Sequence, residues 1–251
     1  MKVEYQKWWS PALGQDMELK VYGHGGKPVL AFPSGGGRFG DYERFGMVEA
    51  CRPFLDAGRV QLFAIDGIDH QSWNNTSLSP ADRVRRHEQY ERYVLNEAVP
   101  FIHERNRSAA PLLGTGCSGG AYHAANFLFR HPDVFDGVIA LSGLYGPRFL
   151  FGDHWDDCLY FHFPLAYLPR LDDPGRMELI RRSRIVLCVG QGAWERCDQY
   201  DCIGETRAMK AVLDSKGIPS WVDFWGLDVN HDWCWWQKQL PYFLRHLVGA
   251  P

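Results

Sequence analysis

The chain has 251 residues, 45% hydrophobic and 23% charged, with a formal net charge of −3. That is the composition of an ordinary globular chain large enough for one sizeable core. It argues against a nucleic-acid or membrane partner, since there is no basic stripe or polybasic tail, and no apolar run approaches the roughly 18 residues of a membrane span.

Val3 and Tyr5 open the chain with the alternation of an edge strand. Strands are expected over Glu18–Tyr22, Pro28–Phe32, Val60–Ile65, Pro111–Thr115, Val138–Leu141, Arg184–Val189 and Ser220–Trp225. Helical patterns lie between most of them, at Tyr42–Leu55, Pro80–Arg105, Ala121–Arg130, Gly204–Lys216 and Trp233–Val248. The second is the clearest, with Ser79 at the N-cap, Pro80 at the first helical position and Asp82 in the first turn. Strands separated by helices specify an α/β class, with a mainly parallel, twisted sheet covered by helices on both faces. The whole chain, 1–251, reads as one domain. Residues 144–183 contain no strand-like run but many aromatics, and are expected to form a cap-like helical insertion that partly covers the site.

Seven cysteines without framework spacing point to free thiols. The first ten residues lack the layout of a signal peptide, so a cytoplasmic location is expected. Cys158, Cys197, Cys202 and Cys234 show no paired spacing for zinc, and Asp153 to Asp157 reads as a solvated loop. Asp66 and Asp69 either line the pocket or cap its loops. Ten tryptophans fit core filling better than an aromatic-lined pocket.

The chemistry concentrates at Gly116-Cys117-Ser118-Gly119-Gly120, a G-x-S-x-G between a strand and a helix. This is the setting of a nucleophile elbow, which presents a serine hydroxyl at the mouth of a sheet. A serine needs a base and an orienting acid, which in this sheet class follow later in the chain, acid before histidine. His231 lies in the loop after the last strand, just before the final helix. Glu195 lies six residues beyond Val189 and is favoured as the acid, with Asp198 second and Asp201 further back. Two backbone amides would bind the oxyanion. One comes from Gly119, the other from the glycine-rich turn after Phe32, at Gly35, Gly36 or Gly37. Cys117 reads as core packing, and Trp194, Trp233 and Trp236 as packing around the triad. Trp194, Trp155 and Tyr122 are the candidate substrate contacts.

These residues carry a resemblance. The elbow, Gln191-Gly192-Ala193-Trp194-Glu195 and His231-Asp232-Trp233 together resemble the esterase family of α/β-hydrolases. That family includes S-formylglutathione hydrolases (esterase D), feruloyl esterases and mycolyltransferases. The resemblance spans nearly the whole chain and implies an α/β-hydrolase fold and a serine esterase. Two departures stand out. Gly119 replaces a bulky residue common after the serine, and the acid is Glu rather than Asp.

The expected activity is hydrolysis of acyl esters through an acyl-serine, with no cofactor or metal and a small-molecule acyl ester as substrate. An acyltransferase or cyclase using the same acyl-enzyme is the alternative, and a non-catalytic binding module the second. The sequence leaves room for a homo-oligomer without setting the state.

Overall fold

The computed structural model describes residues 1–251. Eight strands form one sheet: β1 Val3–Ser10, β2 Gln15–Tyr22, β3 Lys27–Phe32, β4 Val60–Ile65, β5 Leu112–Cys117, β6 Phe135–Leu141, β7 Arg184–Val189 and β8 Trp221–Phe224. Their spatial order is β1-β2-β4-β3-β5-β6-β7-β8. β1 and β2 pair antiparallel, as do β2 and β4, and every other neighbour is parallel. This is the sheet of an α/β-hydrolase, mainly parallel with helices on both faces.

Burial follows position in the sheet. β1, at the edge, alternates exposed and half-buried residues, whereas all six residues of β5 are buried. A central parallel strand has both faces covered and must be apolar or small throughout. Consecutive residues feed opposite cores: Val138 and Ala140 join one cluster with Leu30 and Phe32, Ile139 and Leu141 the other with Val29 and Ala31. Several boundaries differ from the sequence pattern by a few residues. At β5 the difference matters, because the strand runs on through Gly116 and Cys117 to the elbow itself.

Two helical expectations change in detail. The long helix starts at Pro80, where Ser79 Oγ accepts the Asp82 amide at 3.1 Å. It widens to a π-helical turn over Val94–Ala98 before continuing as Val99–Asn106. Pro100 lies just beyond that turn. It has no amide to donate, and its ring would collide with the preceding turn of a regular helix. The expected helix Tyr42–Leu55 is instead three short pieces, Asp41–Arg44, Met47–Ala50 and Arg52–Asp56. Gly46, at φ 73°, ends the first, and Pro53, in the first turn of the third, has no amide to carry the ladder on from the second.

The stretch between β6 and β7 is a series of short helical turns: Arg148–Phe151, Asp157–His162, Pro164–Tyr167, Leu168–Arg170 and Pro174–Arg182. Its Leu159 and Phe163 pack with Trp73, Val84 and Tyr122 in a small separate core. The insertion is thereby clamped to the long helix and to the helix that follows the elbow. No helix is long and apolar enough to cross a membrane.

Candidate active site

Ser118 joins β5 to the helix Gly119–Arg130 with φ 56° and ψ −121°. A non-glycine residue in that region is strained, at a cost on the order of 1–3 kcal/mol, and persists only where its surroundings over-determine it. Here they do. The Ser118 amide donates to Leu141 O at 2.9 Å, and its carbonyl accepts from Ala121 and Tyr122 at 3.0 and 3.2 Å. A Cβ on Gly120 would lie 2.5 Å from Phe32 O, so only glycine lets the turn close against β3.

Gly119 answers the first departure noted in the sequence. A Cβ there would lie 2.8 Å from both the Cα and the N of Gly35. The backbone of the turn after β3 therefore fills the space that a side chain at this position would need, and it brings Gly35 against Gly119. Gly36, at φ 74°, points its amide at Asp69 Oδ2, 3.5 Å away. Asp69 is itself held by His123 Nε2 at 2.9 Å. Two residues further on, the Arg38 guanidinium binds both oxygens of Asp66, at 3.0 and 2.8 Å. Both aspartates thus brace this turn. Ser34, in the same turn, has a buried hydroxyl with no partner.

Glu195 and His231 come from the loops after β7 and β8. His231 Nδ1 donates to Glu195 Oε2 at 3.0 Å. Glu195 is fully buried, and its other oxygen accepts from Ser142 Oγ at 2.7 Å and from the Gly190 amide at 3.2 Å. Ser142 Oγ in turn accepts from Trp236 Nε1 at 3.0 Å. The two loops are laced by backbone bonds, His231 N to Ala193 O at 3.2 Å and Gly192 N to Val229 O at 2.8 Å. Asn230 Oδ1 adds a third link by accepting the Ala193 amide at 2.7 Å. The imidazole is packed edge-on against Trp236, with centroids 4.9 Å apart at 83°.

The elements bring Ser118, Glu195 and His231 to the same end of the parallel strands. Ser118 N bonds to Leu141 O and Ser142 N to Cys188 O, so the ends of β5, β6 and β7 are stitched side by side. Asp198 does not share in this. It lines a polar cleft of about 650 Å³ with Arg148, Arg196 and Glu205, while Asp201 caps the helix Cys202–Ser215. Tyr200 stands between that cleft and the site, its ring 5.8 Å from His231.

The three aromatic candidates part ways. Trp194 is 64% exposed beside the acid loop, with its carbonyl held by Tyr200 Oη at 2.9 Å. Trp155 is half-exposed in a second cleft that shares Arg148 and Glu205 with the first. Tyr122 is sealed in the core with its hydroxyl on His162 O at 2.9 Å, and presents no surface to a ligand. Of the other two tryptophans, Trp236 touches the imidazole, whereas Trp233 stacks on Phe45. Cys117 is buried, and its thiol is pushed well up by that burial, so it stays neutral beside Ser118. Ser142 was missed by the sequence reading. Its one signal is a serine and a glycine directly after β6.

Glu205 holds the root of the insertion, accepting the amides of Tyr145 and Gly146, the latter at 2.8 Å. Burial raises its carboxyl to about 7 against the pull of both amides.

A strained serine elbow and a buried carboxylate–imidazole pair on this sheet are the parts of a serine hydrolase. The chain belongs to the esterase family whose model, described as "Putative esterase", matches residues 10–247. Solved structures agree on the fold. A ferulic acid esterase superposes with a TM-score of 0.75 at 17% identity, covering 98% of this chain and 97% of its own. Mycobacterium tuberculosis MPT51 gives 0.76 at 16%, covering 100% and 99%. The S-formylglutathione hydrolase FrmB of Staphylococcus aureus gives 0.70 at 16%, covering 98% and 97%. No curated protein sequence is a significant match.

Proposed function

We propose that this protein hydrolyses carboxylic esters through an acyl intermediate on Ser118, with His231 as base and Glu195 as the orienting acid. The observation that carries this reading is the bond from His231 Nδ1 to a fully buried Glu195, at the same end of the sheet as a strained Ser118. That bond fixes the imidazole tautomer and leaves Nε2 to accept a proton.

In the first half-reaction Ser118 Oγ bonds to the ester carbonyl carbon while its proton passes to His231. The tetrahedral oxyanion is held by the amides of Gly119 and Gly35, the pair whose backbones are in contact. Of the turn glycines, Gly35 is preferred over Gly36, whose amide faces the Asp69 carboxylate. The carbon–oxygen bond to the alcohol then breaks, and His231 returns the proton to the leaving alkoxide. Water, deprotonated by His231, releases the acid and restores Ser118.

The clefts give a direction for the substrate. The one beside His231 is lined by Arg148, Arg196, Asp198, Gln199 and Tyr200, so a hydrophilic leaving alcohol fits it better than a long alkyl chain.

The test is intact mass after incubation with a fluorophosphonate, on wild type and Ser118→Ala. One adduct per wild-type chain, absent in the variant, is expected. No adduct on a folded wild type would refute the assignment.

A further inference from the structure

A second cluster of titratable groups lies beneath the insertion and takes no part in the chemistry above. His87 and Glu91 are one turn apart on the helix Pro80–Tyr93, and His162 ends the turn Asp157–His162. They are only 1%, 9% and 3% exposed. One ligand atom from each lies within 4.8 Å of the others.

Buried imidazoles that merely fill a core ordinarily find hydrogen-bond partners. Here the Nδ1 atoms of His87 and His162 are both buried and both without one. The two rings stand 5.6 Å apart between centroids, at 81° to each other. Two imidazoles on one tetrahedral zinc, each about 2.0–2.1 Å from it, have centroids roughly 5 Å apart. The observed spacing needs only a small contraction.

We propose that His87, Glu91 and His162 form a divalent-cation site of the zinc class that ties the insertion to the long helix. Two imidazoles and a carboxylate are a ligand set that zinc takes readily. A cleft of about 460 Å³ lined by Glu88, Arg130, His131, Cys158 and His162 gives a water, as fourth ligand, its way in.

Outer contacts orient the ligands, as they do in metal sites generally. Glu91 accepts from Arg130 Nη2 at 2.7 and 2.9 Å, from Arg130 Nε at 3.3 Å and from His131 Nε2 at 2.7 Å. Three of these bonds fall on Oε1 and one on Oε2, and each carboxylate oxygen offers about two lone-pair positions, so Oε2 keeps one for an ion. His162 Nε2 faces Glu88 Oε1 at 3.6 Å. The protonation states agree with the geometry. Burial holds His87 well below the usual imidazole range and His162 down to about 4, so both rings are neutral near pH 7. Burial would raise Glu91, but the bonds from His131 and Arg130 hold it at about 2, so it is an anion.

The site is independent of the esterase reading, and activity is a poor gauge of it. Glu195, Cys202 and His231 also bring ligand atoms within 4.8 Å of one another, so zinc could inhibit there. The experiment therefore reads metal and stability. Chelator-stripped protein is incubated with Zn2+, desalted and assayed for zinc by mass spectrometry, and its Tm is recorded with and without Zn2+. Wild type and His231→Ala are expected to retain one zinc per chain. At a hundredfold excess over Kd their Tm should rise by roughly 5–10 °C. His87→Ala and His162→Ala should lose both effects. If either alanine variant fails to fold, His162→Phe keeps the aromatic packing while removing the ligand. Wild type that retains no zinc, or equal retention in the His87 and His162 variants, would overturn the proposal and leave the cluster as neutral core packing.

Discussion

Ser142 donates its hydroxyl to Glu195 across 2.7 Å, from the end of the strand lying between those that lead to Ser118 and Glu195. It also accepts from Trp236, the residue whose ring edge packs on His231. Ser142 thus fixes the acid and the imidazole's packing partner at once. In Ser142→Ala, Glu195 Oε1 keeps only the Gly190 amide and Trp236 loses its acceptor. A fall in kcat of about 10- to 100-fold with little change in KM is expected, and a loss of roughly 1–3 kcal/mol in stability. Steady-state kinetics with a short-chain aryl ester and a thermal melt check both. Unchanged kinetics would show that the hydroxyl is dispensable.

Glu195 and Asp198 should separate cleanly on mutation. Glu195→Gln leaves the shape but no longer enforces the imidazole tautomer, and kcat should fall by about 10³–10⁴. Asp198→Asn, in the cleft wall, should stay within a few-fold of wild type. The reverse order would move the acid's role to Asp198.

The contact between Gly119 and Gly35 sets a third expectation. In Gly119→Ala the new Cβ meets the Gly35 backbone at 2.8 Å, so the turn after β3 must shift. Loss of one aligned oxyanion donor costs about 10²–10³ in kcat. Reaction with a fluorophosphonate should slow in parallel, while the circular dichroism spectrum stays that of wild type.

Glu205 gives the protein a pH dependence of stability. Its folded carboxyl lies near 7, raised by burial, whereas an unfolded one titrates near about 4.3. The folded state therefore holds this proton more tightly. The associated stability is complete below about pH 4 and is lost as pH rises through about 7. Melts of wild type and Glu205→Gln from about pH 5 to 8 should diverge, the wild type losing Tm relative to the variant as pH increases. Parallel curves would remove Glu205 as the cause.

What the sequence discloses depends on how local the determinant is. The elbow is contiguous, so Ser118 and its glycines could be read directly, and strand order then pointed to Glu195 and His231. Long, well-capped elements such as Pro80–Asn106 were legible for the same reason, apart from the π turn that Pro100 imposes. Ser142 and His123 were not, because each acts through a partner 53 or 54 residues away in the chain. Tyr122 was misjudged because a tyrosine near the nucleophile resembles a substrate contact. Only the packing of Phe163 and Trp73 against it reveals a core residue.

The backbone contact at Gly119 also bears on how this enzyme's selectivity could change. One wall of the site is main chain, with no rotamers and almost no room for substitution, so sequence drift there is punished rather than explored. The neighbouring cleft, lined from Arg196 to Asp201, is exposed or half-buried, polar and outside the buried hydrogen-bond network. Adaptation to a new leaving group would have to be written on that side, while the bond-breaking end stays fixed.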